Sequence, residues 1–84
     1  MYYFTYLLKS VSDGLNKTYV GYTVDIKNRI NKHNSNNGAK STRGHKWILL
    51  YKKRFKTKSE AMSFEYKLKK NKKLRKEIIK KFTK

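Results

Sequence analysis

Apolar and polar positions along the chain change period several times, and each change marks an element. Tyr2 to Lys9 is rich in aromatic and other β-forming residues, which predicts a first strand. Its alternation is imperfect, so both faces of that strand are expected to be covered. Ser10 to Lys17 carries Ser-Asp-Gly and Asn-Lys, which are turn residues, and it accounts for Asp13. Tyr19 to Tyr22, within the β-branched and aromatic run Thr18-Tyr19-Val20-Gly21-Tyr22-Thr23, then returns as the second strand of a hairpin. Gly21 interrupts it, and a strand glycine predicts close approach of another backbone or of a ligand. Beyond Thr23 the period lengthens. Ile26, Ile30 and His33 fall at i, i+4 and i+7, with Arg29 at i+3, so Asp25 to Asn34 is predicted to be helical. The two isoleucines form the apolar centre of one face, and Arg29 and His33 lie along its edge. Asp25 opens the helix as N-cap or in the first turn, and Gly38 is expected to stop it.

Ala39 to Lys46 is polar and basic, with glycines inside and before it. It suits phosphate contacts, and Lys40, Arg43 and Lys46 are its candidate nucleic-acid ligands. Trp47 to Phe55 is a third strand. Its continuously apolar start resembles a central strand buried on both faces, and its basic second half is expected to meet solvent. Thr57-Lys58-Ser59-Glu60 fits a capping box that opens a helix running to about Lys70. Ala61, Phe64, Leu68 and the flanking Met62 form the apolar arc of that helix. Asn71 to Lys84 is a last helix with Leu74, Ile78, Ile79 and Phe82 on one stripe and lysines elsewhere.

Composition narrows what such a chain can do. Eighty-four residues are read as one domain, residues 1–84, with a core over about 2–71 and a basic C-terminal helix over about 72–83. A chain of this length buries roughly 60–65% of its unfolded surface, enough for one modest core. There is no cysteine, hence neither disulfides nor thiolate metal sites. No apolar run approaches the roughly 20 residues of a membrane helix, and the N-terminus lacks the basic segment of a signal peptide. An intracellular protein without a membrane partner is expected. Lys and Arg number 23 against 5 acids, a formal charge of +18. Such a balance points to a polyanion, most often nucleic acid.

The few acids are informative one by one. Asp13 and Asp25 have turn and cap roles, Glu60 belongs to the capping box, and Glu77 can pair with Lys73 or Lys81. Glu65 is left, in the middle of the apolar arc between Ala61 and Leu68. A buried carboxylate without a partner costs several kcal/mol, so it must be paired, protonated or bound to a metal. The other segments supply Tyr6, Tyr19, Arg29 and His33. Phosphodiester hydrolysis needs a comparable set: a metal to polarise the phosphoryl group, a cation for the equatorial charge, and a base for water.

In this order the residues resemble the GIY-YIG nuclease family. Phe4-Thr5-Tyr6 stands where its first tripeptide falls, and Tyr19-Val20-Gly21 matches the second. Thr23 to Arg29 carries the helix arginine, with Lys32-His33-Asn34 a step further on. Gly38-Ala39-Lys40 and Trp47 resemble the small stand-alone members and the catalytic subunits of junction nucleases. Phe64-Glu65 sits where the family keeps its metal-binding glutamate. The resemblance implies an α+β fold, a three-stranded antiparallel sheet flanked by helices. It implies one Mg²⁺, or Mn²⁺ in its place, on Glu65, and DNA cleavage in a single step without a covalent intermediate. Arg29 would hold the scissile phosphate, and Tyr6 or Tyr19, helped by His33, would activate water. The first motif lacks its Gly and Ile, and Asn71, at a short spacing from Glu65, is the only candidate for the asparagine of larger members, a role that is not carried over to it.

The resulting expectation is an endonuclease acting on DNA, including branched or damaged DNA, with a targeting protein or a homodimer supplying specificity. The alternative is a nucleic-acid-binding module of the same fold with little catalysis. A basic ribosome-associated or structural protein would explain the lysines but not the ordered Tyr, Arg, His and Glu set.

Overall fold

In the computed structural model, residues 1–10, 17–35 and 46–82 are described, the last without the Phe82 side chain. The turn containing Asp13, the helix stop assigned to Gly38, and Lys40 and Arg43 lie outside the described residues. The element order is β1 (Tyr3–Ser10), β2 (Thr18–Thr23), α1 (Ile26–Asn34), β3 (Trp47–Phe55), α2 (Lys58–Lys70) and α3 (Lys72–Phe82). The strands form one antiparallel sheet in the order β2-β1-β3. Among the described residues no helix is long and apolar enough to cross a membrane.

The central strand is β1, not β3 as its apolar start implied. Thr5 to Leu8 are four consecutive buried residues, so both faces of β1 are covered. On one face Tyr6 and Leu8 pack with Trp47, Tyr19, Ile26, Ile30 and Leu49, under α1. On the other, Leu7 and Val20 pack with Leu68 and Ile78, and with Tyr51, Phe64, Leu74 and Ile79, under α2 and α3. The hairpin is closed by Ser10 N–H donating to the Lys17 carbonyl at 2.9 Å.

The apolar run of β3 has a different cause from burial on both faces. Leu7 is opposite Tyr51, but Leu8 is opposite Leu49, so Leu50 is an extra residue. Such a bulge shifts the alternation by one. Trp47 and Leu49 therefore join the α1 side, while Tyr51 turns to the α2 side. Ile48 is 43% exposed, as an edge strand permits. Lys52, Lys53 and Arg54 are exposed, although their backbone continues the pairing with β1.

The helix ends follow local chemistry. Asp25 is extended and accepts from Asn28 N–H at 3.1 Å, capping α1. That helix ends at Ser35, whose N–H returns to the Asn31 carbonyl, before Gly38 is reached. Thr57 caps α2 by accepting from Glu60 N–H at 3.2 Å, and its hydroxyl donates to Glu60 Oε1 at 3.0 Å. Ala61 and Leu68 are buried on α2, but Met62 is exposed and does not belong to the arc. Asn71 accepts from Leu74 N–H at 2.9 Å. It caps α3, so its side chain is occupied where the two helices meet.

Candidate active site

The hairpin register creates the centre of the site. Tyr6 is directly opposite Gly21, and Leu8 opposite Tyr19. Tyr6 and Tyr19 therefore project from the same face, two positions apart diagonally, with ring centroids 6.3 Å apart. Gly21 makes room for the phenol. A Cβ there would stand 2.5 Å from Tyr6 Oη and 2.7 Å from Cζ, too close to exist. The glycine admits a side chain, not the backbone or ligand expected from the sequence.

Helix α1 closes over this hairpin with Arg29 and His33. Burial revises the view of its face, since His33 is 0% exposed and is the most buried residue of the helix rather than part of its edge. His33 Nε2 is 3.1 Å from Tyr6 Oη, and Arg29 Nε–H donates to the same oxygen at 3.3 Å. The His33 and Tyr19 rings are 4.8 Å apart. Tyr6 is 1% exposed, whereas Tyr19 and Arg29 are half-buried.

The electrostatics give each group a definite state. Burial pushes the Tyr6 phenol above its ordinary pKa; the Arg29 hydrogen bond opposes this, and the charges of Tyr19 and Glu65 add to it. Burial first, and then the Arg29 charge, hold His33 below the usual histidine range. Arg29 is raised, chiefly by its bond to Tyr6, and remains a cation. With the Tyr6 oxygen already accepting from Arg29, the Tyr6–His33 bond is made by the phenol proton in the tautomer that leaves Nε2 bare.

Glu65 comes from the opposite layer, on α2, and its charge reaches Tyr6. Its side chain is 19% exposed and pairs with Lys69 one turn on, at 3.6 Å. The arc position is thus half-buried, and the carboxylate has a partner. Lys69 is 52% exposed, and an exposed i,i+4 pair contributes only about 0.3–0.5 kcal/mol. A dication displaces such a partner readily. Among the described residues no group of three or more His, Cys, Asp or Glu side chains could hold a metal. One half-buried carboxylate whose lysine partner is exposed and weakly held fits a hard cation that keeps its waters and takes further oxygens from a phosphate, as Mg²⁺ does.

Two polar supports escaped the sequence reading. Asn34 imitates a strand partner: its Oδ1 accepts from Trp47 N–H at 2.6 Å, and its Nδ2 donates to the Trp47 carbonyl at 3.1 Å. Thr5 donates to the Ala61 carbonyl at 2.7 Å, fixing α2 against β1. Asn34 was visible only as the residue after His33, and nothing in the order of residues indicated that it faces the start of β3. Lys46 is exposed and lies beside this contact in sequence.

A tyrosine pair on a hairpin, an arginine and histidine on the covering helix and a glutamate on a later helix define a nuclease-type α+β domain. The chain belongs to the GIY-YIG family: the model of the GIY-YIG catalytic domain matches residues 2–78. A UPF0213 protein of Halobacterium salinarum is 42% identical over 62 residues, covering 73% of this chain and 80% of that protein. A UPF0213 protein of Staphylococcus aureus is 42% identical over 68 residues, covering 80% of this chain and 79% of the relative. The solution structure of the UPF0213 protein of Bacillus halodurans is 36% identical, with a TM-score of 0.55 over 99% of this chain and 86% of that one.

Proposed function

We propose that the protein is a divalent-metal-dependent endonuclease that hydrolyses DNA phosphodiester bonds. Branched and damaged duplexes are the first substrates to try. The observation that carries this reading is the hydrogen-bonded chain from half-buried Arg29 through Tyr6 to His33, with bonds of 3.3 and 3.1 Å. Packing alone has no need for a cation, a phenol and a neutral imidazole in series.

Glu65 would hold Mg²⁺ or Mn²⁺, which supplies charge to polarise the phosphoryl oxygen and to stabilise the leaving oxygen. Arg29 uses its remaining N–H groups on the scissile phosphate while its Nε fixes the Tyr6 hydroxyl. Tyr19, the more exposed phenol, orients the water. As water attacks phosphorus, its proton passes to Tyr6 and the Tyr6 proton to His33 Nε2, while the P–O bond to the leaving oxygen breaks. The raised pKa of Tyr6 makes the relay necessary, because a phenolate would be scarce at neutral pH.

The alternative, a DNA-binding module without catalysis, is favoured by one observation, the Lys69 partner of Glu65. Cleavage of linear, flapped and four-way-junction DNA with Mg²⁺ or with EDTA separates the two. The wild type is expected to cut with metal only, and Glu65→Ala to bind without cutting. Equal binding by both with no cleavage by either would establish the module. Arg29→Ala should lower the cleavage rate far more than the affinity, since many lysines share the phosphate contacts.

A further inference from the structure

A groove leaves the site around the outer edge of β2. A cleft of about 230 Å³ is lined by Thr18, Tyr19, Val20, Lys69 and Arg75. A second, of about 370 Å³, is lined by Lys9, Thr18, Lys72, Arg75, Lys76 and Ile79. They share Thr18 and Arg75, so together they form one path. At one end are Tyr19 and the Glu65 partner Lys69; at the other is the first half of α3. Among the described residues no acid lines either cleft, and Lys9, Lys72 and Lys76 have no carboxylate partner.

Arg75 is the fixed point of this path. Its Nη1 donates to the Leu68 carbonyl at 2.8 Å and to the Lys69 carbonyl, at the end of α2. These bonds hold the half-buried guanidinium still and leave other N–H groups for a ligand. Around it Lys9, Lys72 and Lys76 add point charges on long side chains, and Ile79 adds an apolar patch to the lining. Such cations along an open groove suit a string of phosphates, whereas a small anion would need an enclosed site.

We propose that this groove carries the DNA backbone flanking the scissile phosphate, with Arg75, Lys9, Lys72 and Lys76 as phosphate contacts. Helix α3 is then a binding element as well as a packing one. The direction of the path rests on the nuclease reading above; the contact with DNA does not.

The test measures duplex DNA affinity against salt for the wild type and two triple variants. One is Lys9→Ala/Lys72→Ala/Lys76→Ala. The control, Lys56→Ala/Lys58→Ala/Lys67→Ala, removes the same charge from exposed positions elsewhere. The groove variant should lower the slope of log K against log salt by about 3, one per lysine, and the control by much less. Thermal melting checks that both fold. Equal losses in the two variants, or an unchanged groove variant, overturn the proposal, as does a wild type that binds no DNA. A wild type that binds but never cuts overturns the nuclease reading alone, and the slopes then still decide the groove.

Discussion

At Tyr6, three neighbours act on one oxygen: Arg29 donates to it, His33 lies in reach of its proton, and Gly21 leaves the volume it fills. Gly21→Ala should therefore act on position and on stability together. The alanine methyl would push the buried phenol off His33, so cleavage should fall by more than tenfold, and overpacking of about 1–3 kcal/mol should lower the melting temperature by roughly 4–8 °C per kcal/mol. Unchanged cleavage would mean that the Tyr6–His33 contact is not used. Tyr6→Phe should cost 10²–10⁴ in rate, the range for a lost proton-transfer group, and Tyr19→Phe less; the reverse order would exchange their roles. His33 adds a pH dependence. Its folded pKa lies below the ordinary value, so the unfolded chain takes up the proton first as pH falls. Stability is whole above the ordinary histidine pKa of about 6.5 and declines below it until the folded imidazole also titrates. Urea titrations between pH 7.5 and 5 should show this decline in the wild type and little of it in His33→Gln. Parallel declines would show that His33 is not the group responsible.

Among the elements, those with a local signal were legible, and those set by pairing were not. Period gave α1, capping chemistry gave the start of α2, and turn residues gave the hairpin, because each depends on neighbours in sequence. The order of the strands depends on which edge β3 takes, and a run of five apolar residues says nothing of that. Its bulge at Leu50, which turns Tyr51 to the other layer, has no sequence mark either. The same distinction holds for the site. Tyr6, Tyr19, Arg29 and His33 could be named from motif order, but the depth of His33 and the Lys69 partner of Glu65 needed coordinates. Asn34 shows what such a hidden support is worth. It satisfies both backbone groups of Trp47, so it ties the end of α1 to the start of β3. Asn34→Ala removes both hydrogen bonds to the Trp47 backbone, and at about 0.5–1.5 kcal/mol each this costs about 1–3 kcal/mol. For a chain of this size that is a drop of roughly 4–8 °C per kcal/mol in melting temperature. Because α1 also carries Arg29 and His33, the rate of cleavage should fall with it. A melting temperature within a degree of wild type would mean that these bonds are replaced by water at no cost.

Taken whole, the molecule is a small body that carries far more positive charge than it neutralises. The full sequence carries a formal +18, and the fold has principal extents of 36 × 28 × 20 Å. At about 0.01 M salt the screening length is roughly 30 Å, so nearly every lysine repels nearly every other; at about 0.15 M it is roughly 8 Å, and only neighbours do. Unfolding moves these charges apart, so self-repulsion favours the unfolded chain most strongly at low salt. The melting temperature should accordingly rise as sodium chloride is added from about 0.01 to 0.15 M. A DNA duplex should raise it further at low salt, since a ligand bound only by the folded form stabilises that form by mass action. The two effects should oppose each other when combined, because salt that screens the lysines also weakens the phosphate contacts. Thermal melting over a grid of salt and DNA concentrations reads all three. If the melting temperature is flat in salt without DNA, the charges are too far apart to matter to the fold. If DNA raises it equally at every salt concentration, the contact is not made by the lysines.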